Sequence, residues 1–284
     1  MCVQGAVELE DKKMVIGIDV GISTTKIVGI DRDRNIVSPI RIKANDPVTS
    51  LYGAFGKYLH DNSIQLSDIR QVMMTGVGAG YINGNIYGLP TATTDEFIAD
   101  GLGAKYDVDL DRMIVVSMGT GTSLVLCDGD EIHRLGGLAL GGGTLAGLSR
   151  VMLKTGNIEQ VLELARHGDL SAIDVTIGDI SPHQLTNLPL DATASLFGNA
   201  KADAKPEDVA LGIIWTVLQT IGSATILSSI GSGIKDYVLI GKLSLIPQCR
   251  VLFPILEKLY GVRFHIPAHS EFSTAIGAAL NYYK

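Results

Sequence analysis

Apolar and polar positions alternate with period two near the start of the chain. Ile16, Ile18 and Val20 interleave with Gly17, Asp19 and Gly21, and after Ile22-Ser23-Thr24-Thr25 the apolar pattern resumes in Lys26-Ile27-Val28-Gly29-Ile30. The spacing predicts a strand, a tight polar turn and a returning strand. The same pattern returns in RMIVVSMGTGTSLVLCDGDE, Arg112 to Glu131, with Gly119-Thr120-Gly121-Thr122-Ser123 as the turn. The chain reads as internally duplicated.

Between the hairpins the pattern predicts an amphipathic segment from Val48 to Leu66, a short strand with a Gly-rich exit in QVMMTGVGAG, and a helix from Asp95 to Tyr106. Beyond the second hairpin come the run Gly141-Gly142-Gly143-Thr144, helices near Leu145 to Leu153 and Ile158 to His167, and a polar stretch to about Asp203. A long apolar helix follows, opened by Lys205-Pro206-Glu207-Asp208, then a strand at Tyr237 to Ile240, another helix and strand, and a small-residue helix from Phe272 to Tyr283. Strands alternating with helices give an α/β class.

Composition narrows the function classes. The 284 residues suffice for one large domain or two compact lobes. Lys plus Arg number 23 against 30 Asp plus Glu, a net charge of -7, and no segment concentrates the basic residues, so neither nucleic acid nor a membrane surface is expected as partner. Val209 to Ile234 carries no charge and is long enough to span a bilayer. Its many Ser, Thr and Gly residues favour a buried helix packed against a lobe or a second subunit. Cys2, Cys127 and Cys249 lack metal or redox spacing and read as inert thiols of a reducing compartment. Residues 1–13 show no secretory pattern and read as an extension, disordered or preceding a native start at Met14.

Two Gly/Thr turns in two halves are what a nucleotide clamp needs. Their backbone N–H groups converge on phosphate oxygens, with Ser and Thr adding hydroxyl donors. Lys26 reads as neutralising phosphate charge, and Asp19 as holding magnesium through water. A single such turn would be a plain hairpin connector, with Asp19 bonding its own turn. The repeat and the GGGT run favour the clamp. Neither a GxxxxGK[ST] loop nor GxGxxG after the first strand is present.

These residues resemble a family. The paired hairpins are similar to the acetate and sugar kinase, heat-shock ATPase and actin superfamily, and within it the chain resembles type II pantothenate kinases. GIDVGISTTK, TGVGAG, DEFIADGLGA, MGTGTSL, RLGGLALGGGTLAGL, ARHGDLSAID, SLFGN and STAIGAAL carry the resemblance from Val15 to the last helix. It implies a two-lobed actin-like ATPase fold of duplicated ribonuclease H-like lobes, 14–110 and 111–284, with the nucleotide cleft between them and an interface helix at 206–231. Glu96, in a segment like the family's EFDA, is then the general base; unaided, it also reads as a first-turn acid favoured by the helix dipole. Arg134 matches the substrate-binding arginine, where it otherwise reads as a surface hairpin residue. Asp19, Gly21, Ile22, Ser23, Thr24, Thr25, Lys26, Thr120, Gly121, Gly142, Gly143, Thr144, Leu145, Ala146, Ile158 and Lys242 fall at or beside the family's ATP contacts. ATP with Mg2+, pantothenate, coenzyme A or its thioesters as feedback ligands, a cytoplasmic setting and a homodimer are all implied.

Two positions depart from the family: Gly21-Ile22-Ser23, where a second Gly followed by Thr is usual, and Gly241-Lys242-Leu243, where Gly-Asn-Phe or Gly-Ser-Ser is usual. A 2-hydroxyacyl-CoA dehydratase activator ATPase, whose opening GIDVGSTTTK is similar, would need cluster-binding thiolates, and Cys127 and Cys249 do not stand where they should. A non-catalytic nucleotide-binding regulator would keep the clamp without turnover. His167 and Asp169 read as structural, Trp215 as core or interface, and His60, His133, His183, His265 and His269 lack ligand spacing.

Overall fold

The computed structural model describes residues 13–43, 46–183 and 188–284; Cys2 and all of the N-terminal extension but Lys13 lie outside the described residues. The first hairpin forms as the alternation requires. Strands β1 (Met14–Val20) and β2 (Thr24–Ile30) pair antiparallel, β3 (Ile36–Lys43) extends the sheet beyond β2, and β4 (Ile69–Thr75) and β5 (Thr91–Thr93) continue it in parallel beyond β1.

The second half repeats this plan. Strands β6 (Arg112–Met118), β7 (Thr122–Asp128) and β8 (Glu131–Leu138) are antiparallel neighbours, and β11 (Asp236–Ile240) and β12 (Arg263–His265) lie parallel beyond β6. The polar stretch between holds a two-stranded sheet, β9 (Val175–Thr176) with β10 (Thr193–Ser195).

Helix α1 (Pro47–Asp61), capped by Asp46, buries Leu51, Phe55 and Tyr58 against Ile16, Ile18 and Ile27 on the outer face of the first sheet. On the outer face of the second, α3 (Gly142–Met152), α4 (Ile158–Ala165), α6 (Pro206–Ser229) and α7 (Cys249–Tyr260) build the largest core, while the short α5 (Ile177–Ile180) follows β9. The segment 206–232 is long and apolar enough to cross a membrane, yet α6 sits in this core, with Ile213, Ile214, Leu218 and Trp215 buried.

The inner faces meet two crossing helices. Helix α2 (Glu96–Asp107) follows β5 yet packs Ala104 against Met113, Val115 and Val125 of the second sheet. Helix α8 (Ser273–Leu280) follows β12 yet packs Ala275 and Ala279 against Val15 and Val28 of the first. Each half covers the other half's sheet. At the crossing a Cβ on Gly103 would lie 1.7 Å from the Ser273 carbonyl oxygen, and one on Gly277 1.8 Å from that of Ala99. Only glycine permits this approach.

Candidate active site

Register builds the site. Asp19 on β1 stands opposite Lys26 on β2 and Thr75 on β4, and Lys26 stands opposite Arg41 on β3. Directly opposed residues share a face, so Arg41, Lys26, Asp19 and Thr75 form one row across the inner side of the sheet. Lys26 Nζ donates to Asp19 Oδ2 at 3.0 Å, and both side chains are about nine-tenths buried. Burial alone would lower the Lys26 ammonium; the Asp19 carboxylate more than offsets this and holds it above its ordinary value. Arg41 Nη1 reaches Glu271 Oε1 at 2.9 Å, a bond from the first sheet to the segment before α8.

Glu96 opens α2 behind its cap, Asp95, whose carboxylate accepts the amides of Phe97 and Ile98. Burial raises the Glu96 carboxyl, the Asp19 charge raises it further, and Lys26 opposes both. Glu96 lines a cavity of about 310 Å³ with Thr75, Gly76, Val77, Thr93 and Thr94. The buried Thr75 Oγ1 has no hydrogen-bond partner among the described residues, leaving a polar atom for a ligand. Arg134, exposed on β8, stacks its guanidinium 5.1 Å over the ring of Phe97, the residue after Glu96. An acid made more basic, a cavity of small-molecule size and a stacked guanidinium thus stand together.

The two turns differ in construction. In the first, Gly21 N donates to Thr24 O at 3.0 Å, while Ile22 and Ser23 are exposed. Thr25 is wholly buried opposite Val20, on the α1 side, and its hydroxyl has no hydrogen-bond partner among the described residues. In the second, Gly142 N donates to Gly119 O and Gly143 N to Thr120 O, each at 2.9 Å, which locks the start of α3 onto the turn. Those two amides are used within the protein. Leu145 is likewise buried in the core, whereas Gly121 is exposed and Thr144 and Ala146 are partly so.

Lys242 leaves β11 after Gly241, and its Nζ lies 3.8 Å from Glu159 Oε1, next to Ile158 at the start of α4. The Glu159 carboxyl is held below its ordinary value first by its own backbone amide, then by Lys242, Lys43 and Arg41. Asp169 accepts from Ser171 and its amide donates to Asp208, a local structural use, and no group of three His, Cys, Asp or Glu is arranged to hold a metal among the described residues.

Pattern reading overlooked Thr75, Thr274 and Asp100. Asp100 left a signal: a lone acid among small apolar residues, four positions after Glu96.

The Fumble family model matches residues 104–246, just over half of the chain. The chain is 29% identical over 277 residues to a type II pantothenate kinase of Staphylococcus aureus (strain USA300), covering 93% of itself and 98% of that protein. With pantothenate kinase 1 of Arabidopsis thaliana it shares 35% identity over 137 residues, 45% of this chain and about a third (36%) of that protein's length. Among solved structures, an activator of 2-hydroxyisocaproyl-CoA dehydratase from Clostridium difficile with bound ADPNP aligns with TM-score 0.68 and 16% identity, covering 94% of this chain and 93% of that one. A ROK family glucokinase from Streptomyces griseus with glucose and AMPPNP aligns with TM-score 0.60 and 14% identity over 94% and 98%. At such identities these two structures speak for the fold.

Proposed function

The chain belongs to the Fumble family, and on that premise we propose that it transfers the γ-phosphoryl group of ATP to the primary hydroxyl of pantothenate, the first step of coenzyme A synthesis. One observation carries the reading: Glu96, raised by burial, lines a cavity, and Arg134 stacks on the next residue, Phe97, in a chain similar over nearly its whole length to a type II pantothenate kinase.

In this scheme Glu96 accepts the hydroxyl proton as the oxygen attacks the γ-phosphorus. A new P–O bond forms, the bond to the β–γ bridging oxygen breaks, and ADP leaves with the electron pair. Arg134 holds the carbonyl or carboxylate end of the acceptor. The first turn and Lys26 face the triphosphate from one side, the Thr120 turn from the other.

Asp19, a single carboxylate already bonded to Lys26, suits magnesium that arrives on the triphosphate and keeps most of its waters. Such an ion would neutralise phosphate charge. A cytoplasmic homodimer meeting through α6, whose C-terminal end exposes Leu227 and the following Ile230, completes the reading, with coenzyme A or its thioesters as feedback ligands. An activator role fits less well, since burial raises the Cys127 and Cys249 thiols to about 11 and 12, away from cluster-binding thiolates.

Coupled ADP release with MgATP, run with and without pantothenate, tests the assignment. Pantothenate-dependent ADP formation that falls about 100- to 10,000-fold in Glu96→Ala is expected. ATP binding without such turnover in the wild type would move the reading to a non-catalytic nucleotide-binding regulator, or to another alcohol as acceptor.

A further inference from the structure

One helical turn beyond Glu96, Asp100 is wholly buried, a carboxyl that the chemistry above leaves unused. The spacing of four residues puts both acids on one face of α2. Thr274 Oγ1 of α8 donates to Asp100 Oδ1 at 2.7 Å, and Ser123 Oγ of β7 to Oδ2 at 3.4 Å. The Asp100–Thr274 bond lies at the helix crossing: the offset of 174 residues that relates Gly103 to Gly277 and Ala99 to Ser273 also relates Asp100 to Thr274. An alanine there would avoid the cost of burying a carboxyl.

We propose that Asp100 is a positioning residue for the phosphoryl-transfer base, anchoring the Glu96 helix at the crossing and setting by its own charge how strongly Glu96 holds a proton. The proposal rests on the reading of Glu96 as that base. The charged or titratable groups facing Asp100 are Glu96 on α2, Asp19 on β1, Lys26 on β2 and Cys127 on β7, with the hydroxyls of Ser117, Ser123 and Thr274. Burial pushes the Asp100 carboxyl up to about 7; the Thr274 bond opposes this and the Glu96 charge adds to it. Acids four residues apart on one helix face feel each other's charge, and coupled acids titrate in two steps. As Asp100 ionises near neutrality, its charge makes Glu96 a stronger base.

The test follows the carboxyl carbons of the full chain, 13C-labelled at Asp and Glu, by NMR across pH without ligands. The Glu96 signal is expected to move in two steps, the second near neutrality and absent in Asp100→Asn. Reciprocally, Glu96→Gln should lower the Asp100 midpoint and Thr274→Val should raise it. In kinetics, kcat/KM should show a neutral-pH inflection that Asp100→Asn removes, with a plateau lower by about threefold. A single Glu96 step in the wild type, or a rate loss in Asp100→Asn equal at every pH, would overturn the proposal. Should Asp100→Asn fail to fold, Thr274→Val decides: an unmoved Asp100 midpoint counts against, an upward shift for. Two-step coupling without pantothenate turnover would sink the proposed function and leave only the electrostatic tie between Asp100 and Glu96; turnover without coupling would keep the proposed function and overturn this inference.

Discussion

At the end of β1, Asp19 faces Lys26; at the matching place in the second sheet, Ser117 near the end of β6 faces Ser123. On the other side of the row the first sheet offers Thr75, the second Ile240. The scaffold around these places is the same. Each fourth strand exits through a glycine with φ near +90°, Gly76 at 86° and Gly241 at 88°, whose missing Cβ would lie 2.7 Å from Val20 O and 2.5 Å from Met118 O respectively. Duplication has kept the backbone of the two halves and changed the side chains on it. A charged row in one sheet and a hydroxyl row in the other divide the work: the first carries the charges that tune Glu96, while the second receives the Asp100 carboxyl through neutral donors.

The shared crossing is the place to break both halves at once. Gly103→Ala and Gly277→Ala each push a methyl group into a backbone carbonyl of the partner helix, which side-chain rotation cannot relieve. Both should destabilise by on the order of 5 kcal/mol, or prevent folding, and by similar amounts. Denaturant melts of the two variants check this; a large gap between them would mean that the crossing is not symmetric in energy.

The charged row should break next. Lys26→Met leaves the Asp19 carboxylate buried beside a hydrocarbon chain and is expected to cost about 4 kcal/mol, much of it recovered in the double variant Asp19→Asn with Lys26→Met. Additive losses in the double-mutant cycle would show that the pair is not coupled.

Hydrophobic spacing revealed both hairpins, because period two survives in any sheet with a buried face, and it located α6 because an uncharged run of that length has few other homes. The exchange of α2 and α8 between sheets was not legible. Ala99, Ala104, Ala275 and Ala279 carry no face-specific pattern, and chain order suggests that each helix stays with its own half. Glu96 and Arg134 came from the motif, while their meeting through Phe97 required three dimensions. The GGGT run pointed to phosphate, yet two of its amides close the neighbouring turn, a use that spacing cannot separate from ligand binding.

Asp100 gives the comparison a pH dependence. Its folded value, about 7, lies above the unfolded carboxyl at 3.8, so the native chain holds the extra proton and stability is lost as pH rises from about 4 through 7. Asp100→Asn removes that loss. Relative to the variant, the wild type should weaken by roughly 2 kcal/mol or more between pH 5 and pH 8 in paired melts. Parallel profiles would place the Asp100 proton elsewhere.

The smallest effect tests the hydroxyl row itself. Ser123→Ala removes the 3.4 Å donor to Asp100 Oδ2 but leaves the stronger Thr274 bond, and it strands no charge without a partner. The expected cost is about 1 kcal/mol at pH 8, where Asp100 is ionised and the lost donor matters most. At pH 5, where Asp100 holds its proton, the cost should shrink, because a neutral carboxyl gains less from a hydroxyl donor than an anion does. Urea melts of Ser123→Ala at the two pH values measure both numbers. A cost near that of Lys26→Met would mean that the second sheet depends on its polar row as heavily as the first, and a pH-independent cost would separate Ser123 from the ionisation of Asp100.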